Sequence, residues 1–201
     1  LSKAGTSHVV TLSSVGAHLG SGVGPVCGLY DMEKSFTAYL PKANVLHLRP
    51  TYFMENLLGN LGMVKSMGIL GTPLAADVAM PFIASRDIGA VAAKRLLELD
   101  FKGHSVQELL GARDLTMNEV TRALGTAIGK PELKYVAVPY DEAKQGLQQM
   151  GLSEEIADMY VELSRAFNEG MRPTQARSAS TTTPTTVEEF GKTVFAPAYR
   201  A

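Results

Sequence analysis

The stretch Asn44-Val-Leu-His-Leu-Arg-Pro-Thr-Tyr-Phe-Met-Glu-Asn56 runs from a strand, through a turn, into a helix. Asn44 to Leu48 is a short apolar run bounded by a turn signal, the pattern of a buried strand. Arg49-Pro50 stops it, because proline has no N–H to give a sheet ladder and belongs at a strand end. From Phe53 to about Met67 apolar residues return at helical spacing, at Met54, Leu57, Leu58, Leu61 and Val64. Thr51, Tyr52 and Phe53 therefore leave the carboxyl end of a strand. In open parallel sheets that is where ligands bind.

Upstream, His8-Val-Val-Thr-Leu-Ser13 is a second apolar, β-branched run and reads as a buried parallel strand. Ser14 to Gly28 is a glycine-rich loop. Leu29, Met32, Phe36 and Leu40 then fall on one helical face. A strand, a helix and a strand in that order predict neighbouring parallel strands with a right-handed crossover. Leu1 to Gly5 reads as the end of a helix, which predicts a further N-terminal part before Leu1.

Downstream the alternation continues. Pro81 to Ala84 reads as a strand. Ser85 to Asp87 opens a helix with Ile88, Val91, Ala92 and Leu96 on one face, and Asp87 serves as cap or first-turn acid. Ser105 to Leu110 is strand-like. Thr116-x-x-Glu119 is a capping box for a helix reaching Ile128. Lys134 to Val138 is a strand. Helices follow over Asp141 to Met150 and Ser153 to Glu169, the second with Ile156, Tyr160, Leu163 and Phe167 expected to face inward. Pro173 to Pro184, rich in Ser and Thr, predicts an exposed loop, and Thr186-x-x-Glu189 caps a last short helix. The fold class is α/β with a parallel sheet, divided into 1–104 and 105–201.

Composition narrows the function classes. Lys and Arg number 19 against 20 Asp and Glu, so no net field draws the chain to nucleic acid. A lone cysteine, Cys27, cannot form an internal disulfide and fits a reducing, cytoplasmic setting. The longest near-apolar stretch, Ala75 to Ala84, is broken by Asp77 and Pro81, so no membrane span is expected. His8, His18, His47 and His104 show no metal-ligand spacing, and no metal site is expected.

Three constellations bear on chemistry. Gly20-Ser-Gly22-Val-Gly24 follows a strand but fails the dinucleotide fingerprint: Pro25 and Cys27 stand where its third glycine would be. It reads as a mobile loop. Tyr30-Asp-Met-Glu-Lys34 matches Y-x-x-x-K. Residues four apart share a helix face, so Lys34 can assist the Tyr30 hydroxyl, while Ser13 or Ser14 at the strand end polarises a carbonyl. The plainer reading is a Tyr and a Lys on a surface helix. Pro50, Thr51, Tyr52 and Phe53 form the third set, as a wall for a nicotinamide ring. The plainer reading there makes Phe53 and Met54 the first core turn of the next helix.

Val9-Val-Thr-Leu-Ser-Ser-Val-Gly-Ala17, Gly28 to Glu33, Leu48-Arg-Pro-Thr-Tyr-Phe-Met-Glu-Asn-Leu57 and Ile83-Ala-Ser-Arg-Asp-Ile-Gly-Ala-Val-Ala92 together resemble the NmrA-like proteins, atypical short-chain dehydrogenase/reductases. The resemblance covers essentially the whole chain. It implies the C-terminal portion of a Rossmann-type doubly wound parallel sheet over 1–104, with a small α/β substrate-binding or lid region over 105–201. It implies NADP or NAD as cofactor, with Ser13, Ser14, Pro50, Thr51, Tyr52 and Phe53 around the nicotinamide. The family's phosphate loop has no counterpart here, and its members do not keep Tyr at position 30. Tyr30, Lys34 and Ser14 are the catalytic candidates; Asn56, Tyr135, Tyr140 and Met150 are the substrate-side candidates. Two activities follow from the resemblance: reduction of a quinone or small carbonyl compound by NAD(P)H, or dinucleotide sensing passed to a protein partner such as a transcription regulator.

Overall fold

In the computed structural model, which describes residues 1–201 apart from the side chain of Ser2, the chain begins with a β-α-β unit. Strand β1 (His8–Leu12) leads through the glycine-rich loop to helix α1 (Cys27–Tyr39) and strand β2 (Asn44–Pro50). The two strands pair in parallel, Val10 opposite Leu46. Strand β6 (His104–Leu109) pairs in parallel with the other side of β2, giving the order β1-β2-β6. β2 is the central strand, and Val45 through Pro50 are all buried. Its side chains alternate between two covers. Val45 packs with Leu40, Ala43, Val9 and Phe36 toward α1. Leu46 and Leu48 pack with Ile88 and Phe101 toward α3 (Ser85–Glu98).

Several elements depart from the sequence expectation. Pro50 does not stop β2 short; it is the strand's last residue, opposite Leu109. Its missing N–H costs nothing at the end of the ladder, and its carbonyl accepts from Val15 N–H at 3.0 Å. Tyr52–Phe53 forms a short strand, β3, parallel to β5 (Met80–Ile83). The expected long helix is a 3₁₀ segment, Met54–Asn60, followed by α2 (Leu61–Met67). Gly68 closes α2 in the left-handed region at φ +67°. Strand β4 (Ile69–Thr72), unforeseen because Gly71 interrupts its apolar run, pairs in parallel with β8 (Lys134–Ala137). A two-residue strand, β7 (Asp114–Leu115), runs antiparallel to β5. Because β6 opens at His104, the first sheet crosses the expected division at 104/105.

The C-terminal half holds α4 (Met117–Ala127), α5 (Tyr140–Gln149), α6 (Glu154–Asn168), α7 (Val187–Phe190) and α8 (Ala196–Arg200). The capping box at α4 is present in full, with Thr116 accepting from Glu119 N–H. α6 turns Phe167 into the core, but Ile156 and Tyr160 are 42% and 46% exposed, against the inward expectation. In its N-terminal half the buried face is carried instead by Ala157, with Met159 against Gly24, and Ile156 and Tyr160 lie off that face. Asp87 is the first-turn acid of α3 rather than its cap; it is buried and accepts from Thr185 N–H at 2.9 Å and Thr185 Oγ1 at 2.6 Å.

The Ser/Thr-rich segment is not a free loop. Thr181, Thr183 and Thr185 are buried. Leu110 N–H donates to the Thr181 carbonyl, and Glu108 N–H to the Gln175 side chain. The fully buried Glu108 carboxylate accepts from Thr174 Oγ1 at 3.0 Å and Gln175 N–H at 2.7 Å. Residues 173–185 thus strap the outer edge of β6 and satisfy groups that an edge strand leaves open. No helix among the described residues is long and apolar enough to cross a membrane.

Candidate functional site

The carboxyl ends of β1 and β2 lie side by side. Past β1 the chain continues along β2: Ser13 N–H donates to the Leu48 carbonyl at 2.7 Å, two residues before the Val15 bond to Pro50. Ser13 is buried, and its hydroxyl donates to Glu33 Oε1 at 2.5 Å. Ser14 is half-buried, and its hydroxyl donates to the Val15 carbonyl at 2.9 Å, which leaves its oxygen lone pairs available. Thr51 is buried and committed: its N–H donates to the Leu109 carbonyl and its hydroxyl to the Pro81 carbonyl.

At these strand ends lies an ion pair that the spacing does not single out. Arg49 donates from Nε at 2.9 Å and Nη2 at 2.5 Å to the two oxygens of Glu33, a bidentate grip with both side chains about nine-tenths buried. Burial alone would push the Glu33 carboxyl up; hydrogen bonds from Arg49 and Ser13 outweigh it and hold the group below the usual carboxylate range. The signal was present in the sequence: a charged residue at the end of a strand buried on both faces needs an acid partner. Beside it His47 bonds Thr11 Oγ1 through Nδ1 at 2.7 Å, and burial lowers its pKa, with Glu33 opposing.

Both shifts have the same consequence. Above pH 6.5, the ordinary histidine value, folded and unfolded chains agree in protonation at His47, and its contribution is complete. Below that the unfolded chain binds a proton that the folded chain resists, so stability falls as pH falls. Glu33 repeats the pattern below its ordinary value of 4.5. Urea unfolding is expected to show a midpoint that drops on acidification through both ranges, and Glu33→Gln should shrink the lower drop, the remainder coming from Glu119 and Glu188, whose carboxyls are also held low by hydrogen bonds.

Tyr30 and Lys34 share one face of α1, as their spacing requires. Lys34 Nζ lies 4.2 Å from the centroid of the Tyr30 ring, over its face. Both line a groove of about 380 Å³ between α1, β2 and β6, together with His18, Thr37 and His104. Gly20 lies beneath the ring: a Cβ there would meet Tyr30 at 3.2 Å, so the glycine-rich loop is shaped to that side chain.

The other candidates divide. Tyr52 packs edge-on against Phe82 and Phe167, with ring centroids 5.4 and 6.2 Å away. Its half-buried ring thereby belongs to the core as well as to the strand end, and burial pushes its hydroxyl above the usual tyrosine range. Phe53 packs on the α3 side with the Leu46 and Leu48 cluster. Tyr135 bonds the Leu74 carbonyl at 2.6 Å and Thr72 Oγ1 at 2.6 Å; burial raises its hydroxyl to about 12, against those hydrogen bonds. Tyr52 and Tyr135 therefore keep their protons at neutral pH and act as hydrogen-bonding or packing groups. Tyr140 accepts from Asn168 Nδ2 at 2.8 Å, and the same amide reaches the Pro73 carbonyl. The 72–75 loop thus gathers Tyr135 and Tyr140 through Asn168, a residue that sequence spacing did not mark. Asn56 is exposed on the 3₁₀ segment, and Met150, 70% exposed, lies just past α5, outside this network.

No family model matches the chain. It is 36% identical over 118 residues, 58% of its length, to an NAD(P)H azoreductase of Xenophilus azovorans, and the match spans 40% of that relative. Among solved structures it is similar to the Citrobacter sp. triphenylmethane reductase complexed with NADP(H), with TM-score 0.73 and 17% identity over 95% of this chain and 66% of that one. It is also similar to an NADPH-dependent quinone oxidoreductase of Escherichia coli complexed with NADPH, with TM-score 0.70 and 20% identity over 96% of this chain and 68% of that one. A nucleoside-diphosphate-sugar epimerase of Staphylococcus aureus gives TM-score 0.72 and 16% identity over 94% of this chain and 65% of that one. The fold is a Rossmann-like α/β arrangement of the kind seen in such reductases and epimerases.

Proposed function

We propose that this chain belongs to an NmrA-like, NAD(P)H-dependent reductase and carries the part that holds the nicotinamide end of the dinucleotide together with the substrate. The strand ends carry this reading: Ser13 to Val15 are laid along Leu48 to Pro50, where open α/β sheets bind ligands. The similarity to the azoreductase supports it. Ser14 fits a carboxamide, because its hydroxyl oxygen is free to accept an N–H. Pro50 to Phe53 form the facing wall, on a backbone that Pro50 fixes. The dinucleotide, NADP or NAD, supplies the hydride when bound. Tyr30 delivers the proton to the acceptor, with Lys34 holding its ring. Tyr135 and Tyr140 wall the substrate, with Asn56 and Met150 at the rim, and the residues beyond β6 serve as the substrate region. The acceptor is a quinone or small carbonyl compound.

The full-length protein is expected to oxidise NADPH or NADH in the presence of at least one member of a quinone and carbonyl panel. Dinucleotide binding with no turnover of any acceptor, and a protein partner captured only with one redox form, would assign sensing instead. Tyr30→Phe in that protein should lower kcat by about 10²-fold with little change in dinucleotide affinity, the lower end for loss of a general acid. An unchanged kcat removes Tyr30 from the mechanism.

A further inference from the structure

Away from the ends of β1 and β2, a groove of about 320 Å³ lies between α4 and β8. Thr121 and Arg122 line it from α4, Lys134 and Tyr135 from β8, and Leu133 from the turn between them. Thr121 is 2% exposed, and its hydroxyl has no hydrogen-bond partner. A buried hydroxyl left in that state is costly, and such groups are rare in folded proteins. Arg122 and Lys134 are exposed, and among the described residues neither has an acidic oxygen within ion-pair distance. Glu119, the acid nearest Arg122 along α4, is spent on Thr116 in the capping box.

The other polar groups of the groove are occupied. Asn118 Nδ2 donates to Asp77 at 2.7 Å, and the Tyr135 hydroxyl is held by Leu74 and Thr72. What remains uncommitted is two cations and one hydroxyl, and all three suit an oxyanion. Guanidinium and ammonium groups bond phosphate and carboxylate oxygens more strongly than neutral donors do. A hydroxyl can turn its hydrogen toward the same oxygens. Leu133 and Pro131 supply an apolar surface beside them. The volume is at the small end of ligand pockets.

We propose that the α4–β8 groove is a second binding site, which takes a small molecule by its phosphate or carboxylate group. Arg122 and Lys134 grip the oxyanion, and Thr121 donates to it. The site borders the proposed substrate wall through Tyr135 but takes no group from Tyr30, Lys34 or Ser14, and its test reads binding without turnover.

Inorganic phosphate and benzoate, titrated separately into the full chain and followed by calorimetry and amide NMR, test this. At least one is expected to saturate with a Kd of about 1 mM or tighter, with shifts centred on Thr121, Arg122 and Lys134. Saturation by phosphate identifies a phosphorylated ligand, and saturation by benzoate a carboxylated one. The double variant R122Q/K134Q should weaken binding at least tenfold. T121V should weaken it several-fold without lowering the melting temperature, because it removes a hydroxyl that nothing satisfies in the free chain. Absence of saturation by either probe overturns the proposal, as does unchanged affinity in R122Q/K134Q or in T121V.

Discussion

Gly111→Ala is expected to destabilise the chain by about 2–5 kcal/mol, read as a lowered urea midpoint at unchanged slope. Gly111 follows β6 with φ +65°, in the left-handed region. A Cβ built there would lie 1.7 Å from the Phe82 carbonyl oxygen, and the obstacle is backbone, which cannot rotate away. The left-handed conformation costs an L-residue roughly 1–2 kcal/mol, and forced displacement in a packed interior adds roughly 1–3 kcal/mol. Phe82 is fully buried and meets the Tyr52 ring edge-on, so a shift of β5 carries to the strand end at Tyr52. Gly129→Ala is the control: it also has positive φ but nothing within 4 Å of its Cβ. It should show the conformational cost alone, and equal losses at the two positions would remove the steric argument.

The second large effect concerns the buried pair. Arg49→Met should cost about 3 kcal/mol, the lower end for stranding one member of a buried ion pair, because both side chains still reach the groove. Glu33 would lose both guanidinium bonds and keep only the Ser13 hydroxyl. The double variant Glu33→Leu/Arg49→Met should recover most of the loss, since replacing such a pair by apolar groups of similar volume is often close to neutral. The measurement is a double-mutant cycle by urea unfolding at pH 7. A double variant as unstable as the sum of the singles would show that the pair's worth lies elsewhere.

The β-α-β unit was legible because its signals are local. β-branched runs at His8 to Leu12 and Asn44 to Leu48, with a helical period between them, leave few alternatives. Thr116 and Glu119, or Thr186 and Glu189, declare helix starts within four residues. What escaped reading depends on partners far along the chain. Tyr52–Phe53 becomes a strand only because Phe82–Ile83 lies beside it. The serines and threonines of 173–185 are turn-forming by composition, yet Glu108 holds Thr174 and Asp87 holds Thr185 from far along the chain. At the candidate site the same division holds. Ser13, Ser14 and Pro50 follow from strand ends, whereas Asn168 and the Glu33–Arg49 grip appear only once helix faces are placed against strands.

The strap across β6 also sets an order of events during synthesis. β6 is complete at Leu109, but the strap that seals its edge, 173–185, lies 64 to 76 residues further along the chain. At translation speeds of 5–20 residues per second, the edge stands unsealed for roughly 4–15 s after it is made. Contacts this distant in sequence form late, because the intervening loop must close first. A nascent chain is therefore open at this edge to strand pairing with its neighbours on a polysome. Slow codons placed between Leu109 and Thr185 would prolong that exposure, while the finished, strapped fold would keep no trace of it.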